Sequence, residues 1–243
     1  MRSLFLRCMC LAALVLGVSA PVGWADISVT DGTFYVTAWD HGVQGWSQKI
    51  LSPVTPPIDT FREASAGDSR SRTDYLFSTS GNIGSFRFDF DQERAGSRWS
   101  YGRHHGHMYF SVDTDLPYSF QGSYELTGEQ RIYLHTYLLD VTDNQYAFHN
   151  MQHSQSTVDE SFTLGGAGGD SENIQVGSLS GTLIGGHEYE FFHLYSFQAH
   201  LSSDGGASAV GDLQFDIVPV PGAALLGLMG LGLVGGVKKR RRA

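Results

Sequence analysis

Along residues 85–91, apolar and polar positions alternate without a break: Phe86, Phe88 and Phe90 fall on one side of an extended chain, Arg87, Asp89 and Asp91 on the other. Successive side chains of a strand point to opposite faces, so this stretch predicts a strand with one face in a core and the other in solvent. Residues 107–113 repeat the pattern with Met108, Phe110 and Val112 inward, and residues 212–218 with Leu213, Phe215 and Ile217 inward. Residues 118–126 are a further strand candidate, and residues 131–141 are apolar at both parities, as suits a central strand, with a short helix the alternative. Residues 177–184 and 187–198 flank Gly185-Gly186. In the second of these, Tyr189, Phe191, Tyr195 and Phe197 share one face while Glu188 and Glu190 share the other. Residues 27–40 hold two β-rich runs around Asp31-Gly32, a dipeptide that favours a hairpin turn. From residue 41 to 72 the composition shifts to Gly, Ser, Pro and charge, which predicts a long loop or irregular edge, and residues 150–170 are a second polar, Gly-rich interruption. No stretch carries a long, capped helical period. Many short strands separated by turn residues predict an all-β domain, an antiparallel β-sandwich of jelly-roll-like form.

Both ends of the chain depart from this pattern. Arg2 and Arg7 precede an apolar run at residues 8–18 and then a small-residue region, the layout of a secretory signal peptide. Cleavage after Ala25, with Gly23 at the third position back, divides the chain into a signal peptide (1–25), an extracellular domain (26–217) and a separate C-terminal segment (218–243). Cys8 and Cys10, the two cysteines of the chain, fall in the first segment, so the mature domain is expected to lack disulfide and thiol chemistry and to rest on its core. The formal net charge is −9, but the basic residues are concentrated at the ends. Residues 26–217 hold nine Lys and Arg against 25 Asp and Glu, a net −16, with Lys49 the sole lysine. Such a surface repels nucleic acid phosphates and anionic lipid heads, and suits divalent cations or neutral sugars.

The C-terminal segment has three ordered parts. Val218, Pro219, Val220 and Pro221 come first; an apolar run of sixteen residues with six glycines follows at 222–237; Lys238, Lys239, Arg240, Arg241 and Arg242 complete it. As a helix the run is about 24 Å long at about 1.5 Å per residue, short against a hydrocarbon core of about 30 Å, and the basic cluster belongs on the cytoplasmic side. The prolines set it apart from the preceding strand. Over about a tenth of the chain, this tail resembles the PEP-CTERM family of bacterial sorting signals in its Val-Pro-x-Pro variant, with Val220 where Glu is usual and Gly222 where Ala or Ser is common. The resemblance implies a C-terminal transmembrane sorting helix inserted transiently in the inner membrane of a Gram-negative bacterium. It also implies an exosortase-like membrane protease as the processing partner, and release to the cell surface or exopolysaccharide matrix. A permanent single-pass anchor is the alternative reading of the same tail.

Within the domain the candidate chemistry is sparse. Asp89, Asp91 and Glu93 alternate, so three carboxylates share a strand face, and hard oxygen ligands of that kind suit Ca²⁺; a solvated acidic face is the competing reading. Asp113 and Asp115 pose the same choice. Residues 165–170, GGAGGD, match the start of a Ca²⁺-binding β-roll repeat, but one copy has no neighbour to stack on. His104, His105 and His107 are the densest histidine cluster. Alternation puts His105 and His107 on one face, as two zinc ligands stand, yet no third ligand follows at local spacing, and a polar strand edge is expected. Glu188 and Glu190 share a face with Cβ atoms about 6 to 7 Å apart at a rise of about 3.3 Å per residue, the arrangement here that suits a glycosidase pair. Trp39, Trp46, Trp99 and Tyr101 lie in or near Gly-rich loops, where flat rings stack on sugars or close the end of a core. The expectation is a non-enzymatic exported protein with a structural or interaction role and no obligatory cofactor. The alternatives are a carbohydrate- or Ca²⁺-binding module, with exopolysaccharide as partner, and a secreted glycosidase.

Overall fold

The computed structural model describes residues 26–41, 43–94, 100–159, 161–165, 174–199 and 206–218. Fourteen strands follow one another: β1 (Ile27–Asp40), β2 (Gly45–Leu51), β3 (Ile58–Ala66), β4 (Ser69–Ser80), β5 (Ile83–Arg94), β6 (Ser100–Val112), β7 (Leu116–Thr127), β8 (Glu129–Asp140), β9 (Gln145–Val158), β10 (Ser161–Thr163), β11 (Ile174–Gly177), β12 (Ser180–Leu183), β13 (Glu188–Ala199) and β14 (Ala207–Ile217). Among the described residues there is no helix, and so none long and apolar enough to cross a membrane. The signal peptide expected at 1–25 and, apart from Val218, the sorting segment expected at 218–243 lie outside the described residues. Two sheets of seven strands result. One has the order β11-β9-β8-β13-β6-β1-β2; the other has β10-β7-β14-β5-β4-β3, with β12 also paired to β7. Neighbouring strands pair antiparallel throughout. The predicted antiparallel sandwich is what the chain forms.

Aromatic rings fill the space between the sheets. Phe88 of β5 contacts rings on its own sheet, Tyr75 and Phe77 of β4, and across the gap Phe34 of β1 at 5.2 Å, His104 of β6 at 5.6 Å and Phe191 of β13 at 5.7 Å between centroids. Phe215 of β14 does the same at the other end: Phe120 lies at 4.4 Å and Phe86 at 5.7 Å in its own sheet, with Phe191 at 5.5 Å and Phe110 at 5.8 Å opposite. All of these rings are buried. Gly106 makes the packing possible, since a Cβ there would stand 2.4 Å from the Phe34 ring. The inner positions then become polar toward one end. Those of β4 run Phe77, Tyr75, Thr73, Ser71, Ser69 and those of β5 run Phe86, Phe88, Phe90, Gln92, Arg94, all buried. The opposite end holds both chain exits. Asp26 accepts a backbone hydrogen bond from Asp113, and Val218 donates one to Pro117.

Several expectations are corrected. Residues 27–40 are one strand, not a hairpin: β1 pairs with β6 along its whole length, with a bulge between Val29 and Asp31. Gly32 is small because Val54 packs on it: a Cβ at this position would lie 2.7 Å from the Val54 side chain. The Gly32 N–H is held by the Asp31 carboxylate at 2.7 Å. The loop expected at 41–72 is largely β2, β3 and the start of β4. Its inner face carries Ala and Ser and its outer face Arg and Glu, so no apolar alternation marks it. β9 likewise buries Asn150 and Gln152 beside Phe148, and extends through residues expected to be loop. β8 is central, as expected, but its outer face is only half-buried.

Because Phe215 touches both sheets, Phe215→Ala is expected to cost about 3–5 kcal/mol, read as a lower denaturation midpoint in chemical unfolding. Phe61→Ala on the exposed face of β3 serves as a control with a change of less than about 1 kcal/mol.

Candidate functional site

The outer face of the sheet containing β6 is the chemically distinctive surface. Three of the aromatic residues singled out in the sequence meet there: Trp39 of β1 is the register partner of both Trp46 on β2 and Tyr101 on β6. Each stands one residue from the end of its strand, near the loops as expected, but their meeting is not legible locally because each ring comes from a different strand. Trp39 and Tyr101 stack at 5.6 Å, His41 meets the Trp39 edge at 5.7 Å, and Trp46 is 65% exposed. Trp99 lies outside the described residues. Gln198 continues the row beside Tyr101, with Arg131 beyond it.

Parallel rows cover the rest of the face. Met151, His135, Leu194, His105 and Tyr35 lie in register across β9, β8, β13, β6 and β1, and His149, Tyr137, Phe192, His107 and Thr33 form the next row. Tyr35 stacks on His105 at 4.9 Å, Tyr137 on Phe192 at 4.8 Å and Tyr146 on His149 at 4.7 Å. His153, opposite Tyr133, shares this face as well. The sequence expectation that His105 and His107 share a face holds, but β6 is flanked by β1 and β13, so the cluster is not at a sheet edge. β8 and β9 are the arms of one hairpin turned at residues 141–144, and His135, His149 and Met151 had no signal in the sequence because the stretch from 150 onward reads as polar loop. The Nε2 atoms of His135 and His149 are 2.9 Å apart, and the Tyr133 hydroxyl donates to Met151 Sδ at 3.2 Å.

Glu188 and Glu190 are on the same outer face. Glu190 accepts a hydrogen bond from the Tyr137 hydroxyl at 3.2 Å, while the Glu188 backbone is tied to Thr142. Burial, then Glu190, raises the Tyr137 phenol well above its ordinary value. The other sheet presents a different surface. Asp89, Asp91 and Glu93 do share its outer face, and arginines reach all three: Arg87 to Asp89 at 3.0 Å, Arg70 to Asp91 at 3.6 Å and to Glu93 at 3.3 Å. Burial and the neighbouring Glu93 raise the Asp91 carboxyl. An open depression of ≈ 470 Å³ lies on this side over Gly211, edged by Ser123, Glu125, Thr163 and Asp212. Asp115 is occupied in accepting the Gly185 N–H at 2.8 Å. Of the GGAGGD motif, residues 166–170 lie outside the described residues. At the end where the chain exits, Asp140, Asp143 and His187 bring their ligand atoms within 4.8 Å of one another. There Asp140 pairs with His187 Nδ1 at 2.8 Å and accepts the Asp143 N–H, and that pairing raises the His187 pKa.

No family model matches the chain, and no curated protein matches it. Among solved structures it shows a faint likeness to the infectious bursal disease virus VP2 subviral particle, with 9% identity over 89% of this chain and 72% of that one and a TM-score of 0.17. The infectious bursal disease virus Gx strain is similar at 9% identity over 82% of this chain and 65% of that one, with a TM-score of 0.18. Likenesses of this size carry no argument.

His104 points from β6 into the core, enclosed by Phe34, Tyr75, Phe88, Phe90 and His193. Burial holds its pKa well below the ordinary imidazole value. His193, bonded to Thr136 at 2.7 Å, is pushed down to about 3 by burial. Burial also brings His105 to about 4, reinforced by Arg103, and His135 to about 4, reinforced by His149. An unfolded imidazole takes a proton near pH 6.5; these do so only far lower, so the unfolded chain binds more protons as pH falls through that window and stability is lost. His104 and His193 alone are expected to remove about 3 kcal/mol per pH unit below pH 6.5, the half-exposed pair adding less. Denaturation midpoints from pH 7 to 4 check this, and His104→Leu is expected to lower the proton uptake of unfolding by about one.

Proposed function

We propose that this chain is an exported, non-enzymatic binding protein of the bacterial cell surface or exopolysaccharide matrix, delivered there by its C-terminal segment, and that the row Trp46, Trp39, Tyr101 holds polysaccharide. The observation that carries the reading is the alignment of three aromatic side chains on neighbouring strands of a sheet face. The apolar C–H face of a pyranose stacks on such rings, while Gln198 and Arg131 in the same row supply donors for sugar hydroxyls. Charge segregation favours it too. Asp89, Asp91 and Glu93 of an acidic domain are on the opposite sheet, so the aromatic face repels an acidic polymer less strongly than the net charge suggests.

Placement suits surface display. The tail leaves beside Pro117, at the end where β1 begins, whereas Trp39 is near the far end of β1. At a rise of about 3.3 Å per residue the twelve-residue step from Ile27 to Trp39 sets the ring row roughly 40 Å from the exit. The passages from β5 to β6, β6 to β7 and β7 to β8, each changing sheet, support a jelly-roll-like wrapping. The layout at 1–25 supports a signal peptide, and the Val-Pro-x-Pro, apolar and basic parts of 218–243 support transient inner-membrane insertion and processing by an exosortase-like protease.

Affinity electrophoresis and calorimetry against neutral and acidic polysaccharides are expected to show retention that Trp39→Ala and Tyr101→Ala each weaken about 3- to 10-fold. Equal mobility of wild type and both variants in every gel excludes the ring row as the binding site. Deleting residues 218–243 is expected to move the protein from the surface or matrix fraction to the soluble exported fraction, and an unchanged distribution rules out delivery by the tail.

A further inference from the structure

The geometry points to a transition-metal site on the outer face, separate from the ring row, in which His135, His149 and Met151 hold a copper ion. Its nucleus is the pair of imidazole Nε2 atoms 2.9 Å apart on β8 and β9. With metal–nitrogen bonds of about 2.0–2.1 Å, nitrogens at that separation subtend an angle of about 90° at a shared ion. Parting the rings by about 0.5 Å gives a tetrahedral or trigonal angle, a change that a small imidazole rotation supplies. Both rings must carry their proton on Nδ1 for both Nε2 lone pairs to face the ion, so the ring that donates in the imidazole–imidazole hydrogen bond moves its proton from Nε2 to Nδ1.

The third ligand selects the metal. Met151 is the register partner of His135, and paired strand residues have Cβ atoms about 4.5–5.5 Å apart. Its sulfur rests 3.2 Å from the Tyr133 hydroxyl and moves on three rotatable bonds. Imidazole accepts zinc, nickel, iron and copper, but a thioether in the same set favours Cu(I). The surroundings keep the ligands ready. Tyr146 stacks on His149 at 4.7 Å, and Tyr137 and Phe192 pack on His135 at 5.3 and 5.2 Å, which fixes the rings and limits water at the ion. Burial lowers both imidazole pKa values, that of His135 to about 4, so both rings are neutral at pH 7 as a metal requires. Asp140, Asp143 and His187 form a different group at the chain-exit end, already tied internally by the Asp140–His187 pair.

The test uses the intact chain, purified without a histidine tag, titrated anaerobically with Cu(I) against a chromophoric Cu(I) chelator. One Cu(I) per chain is expected to bind, His149→Gln weakening it about 100-fold and Met151→Leu about 10-fold, with Zn²⁺ affinity unchanged in Met151→Leu. Should His149→Gln fail to fold, Cu(I)-dependent protection of His135 and His149 from acylation in the wild-type chain, followed by mass spectrometry, reads the same contact. Absence of Cu(I) binding, equal binding by wild type and His149→Gln, or acylation of both histidines at the same rate with and without Cu(I) would overturn the site. In those cases the pair is an imidazole–imidazole hydrogen bond and nothing more. Cu(I) affinity unaltered in Met151→Leu would overturn the thioether ligand and with it the assignment to copper.

Discussion

The rest of the structure depends on ring-to-ring contact across the gap between the sheets. Phe88 and Phe215 each touch aromatic side chains of both layers, and around them Phe34, Phe86, Phe110, Phe120 and Phe191 close the space. A large ring buries about 150–250 Å² and gains from offset or edge contacts beyond its area. Cys8 and Cys10 both precede residue 26, so this contact, and not a disulfide, holds residues 26–217 together. It also imposes a constraint. With the inner faces committed to the core, the outer faces and the sandwich ends are the surfaces left open.

The two outer faces have diverged accordingly. One is an ion-pair ladder in which Arg70 alone reaches Glu63, Asp91 and Glu93. Exposed pairs of this kind add little stability each, but the shared guanidinium offsets the repulsion between neighbouring carboxylates. The other is a lattice of Trp, Tyr, His and Met, interrupted by Glu188 and Glu190 at the exit end and by Arg103 and Arg131 farther along. Its rings stack on one another across strands and so are held flat before any ligand arrives. That preorganisation lowers the entropy lost when a flat solute binds. The core itself is not uniformly apolar. Toward the far end Thr73, Ser71 and Gln92 are buried, and His104 sits among aromatic rings as a neutral imidazole, which links the fold to pH.

What the amino-acid sequence determined by itself is a set of strands with apolar residues at a period of two: Phe86, Phe88 and Phe90; Met108, Phe110 and Val112; Tyr189, Phe191, Tyr195 and Phe197; and Leu213, Phe215 and Ile217 all face the core. It also set Asp89, Asp91 and Glu93 on one face, because that property is local. The tertiary structure decided the rest. β4 and β9 carry Ser, Thr, Asn and Gln at inner positions and β3 buries only Ala64 and Ala66, and such residues become buried only through the strands that pack on them. Asp31-Gly32 sits within a continuous strand because β6 pairs on both sides of it and Val54 fills the space above. The ring row and the His135–His149 pair likewise join residues from separate strands. Register between strands is fixed by packing and long-range pairing, so a surface built across strands has no signature along any one of them.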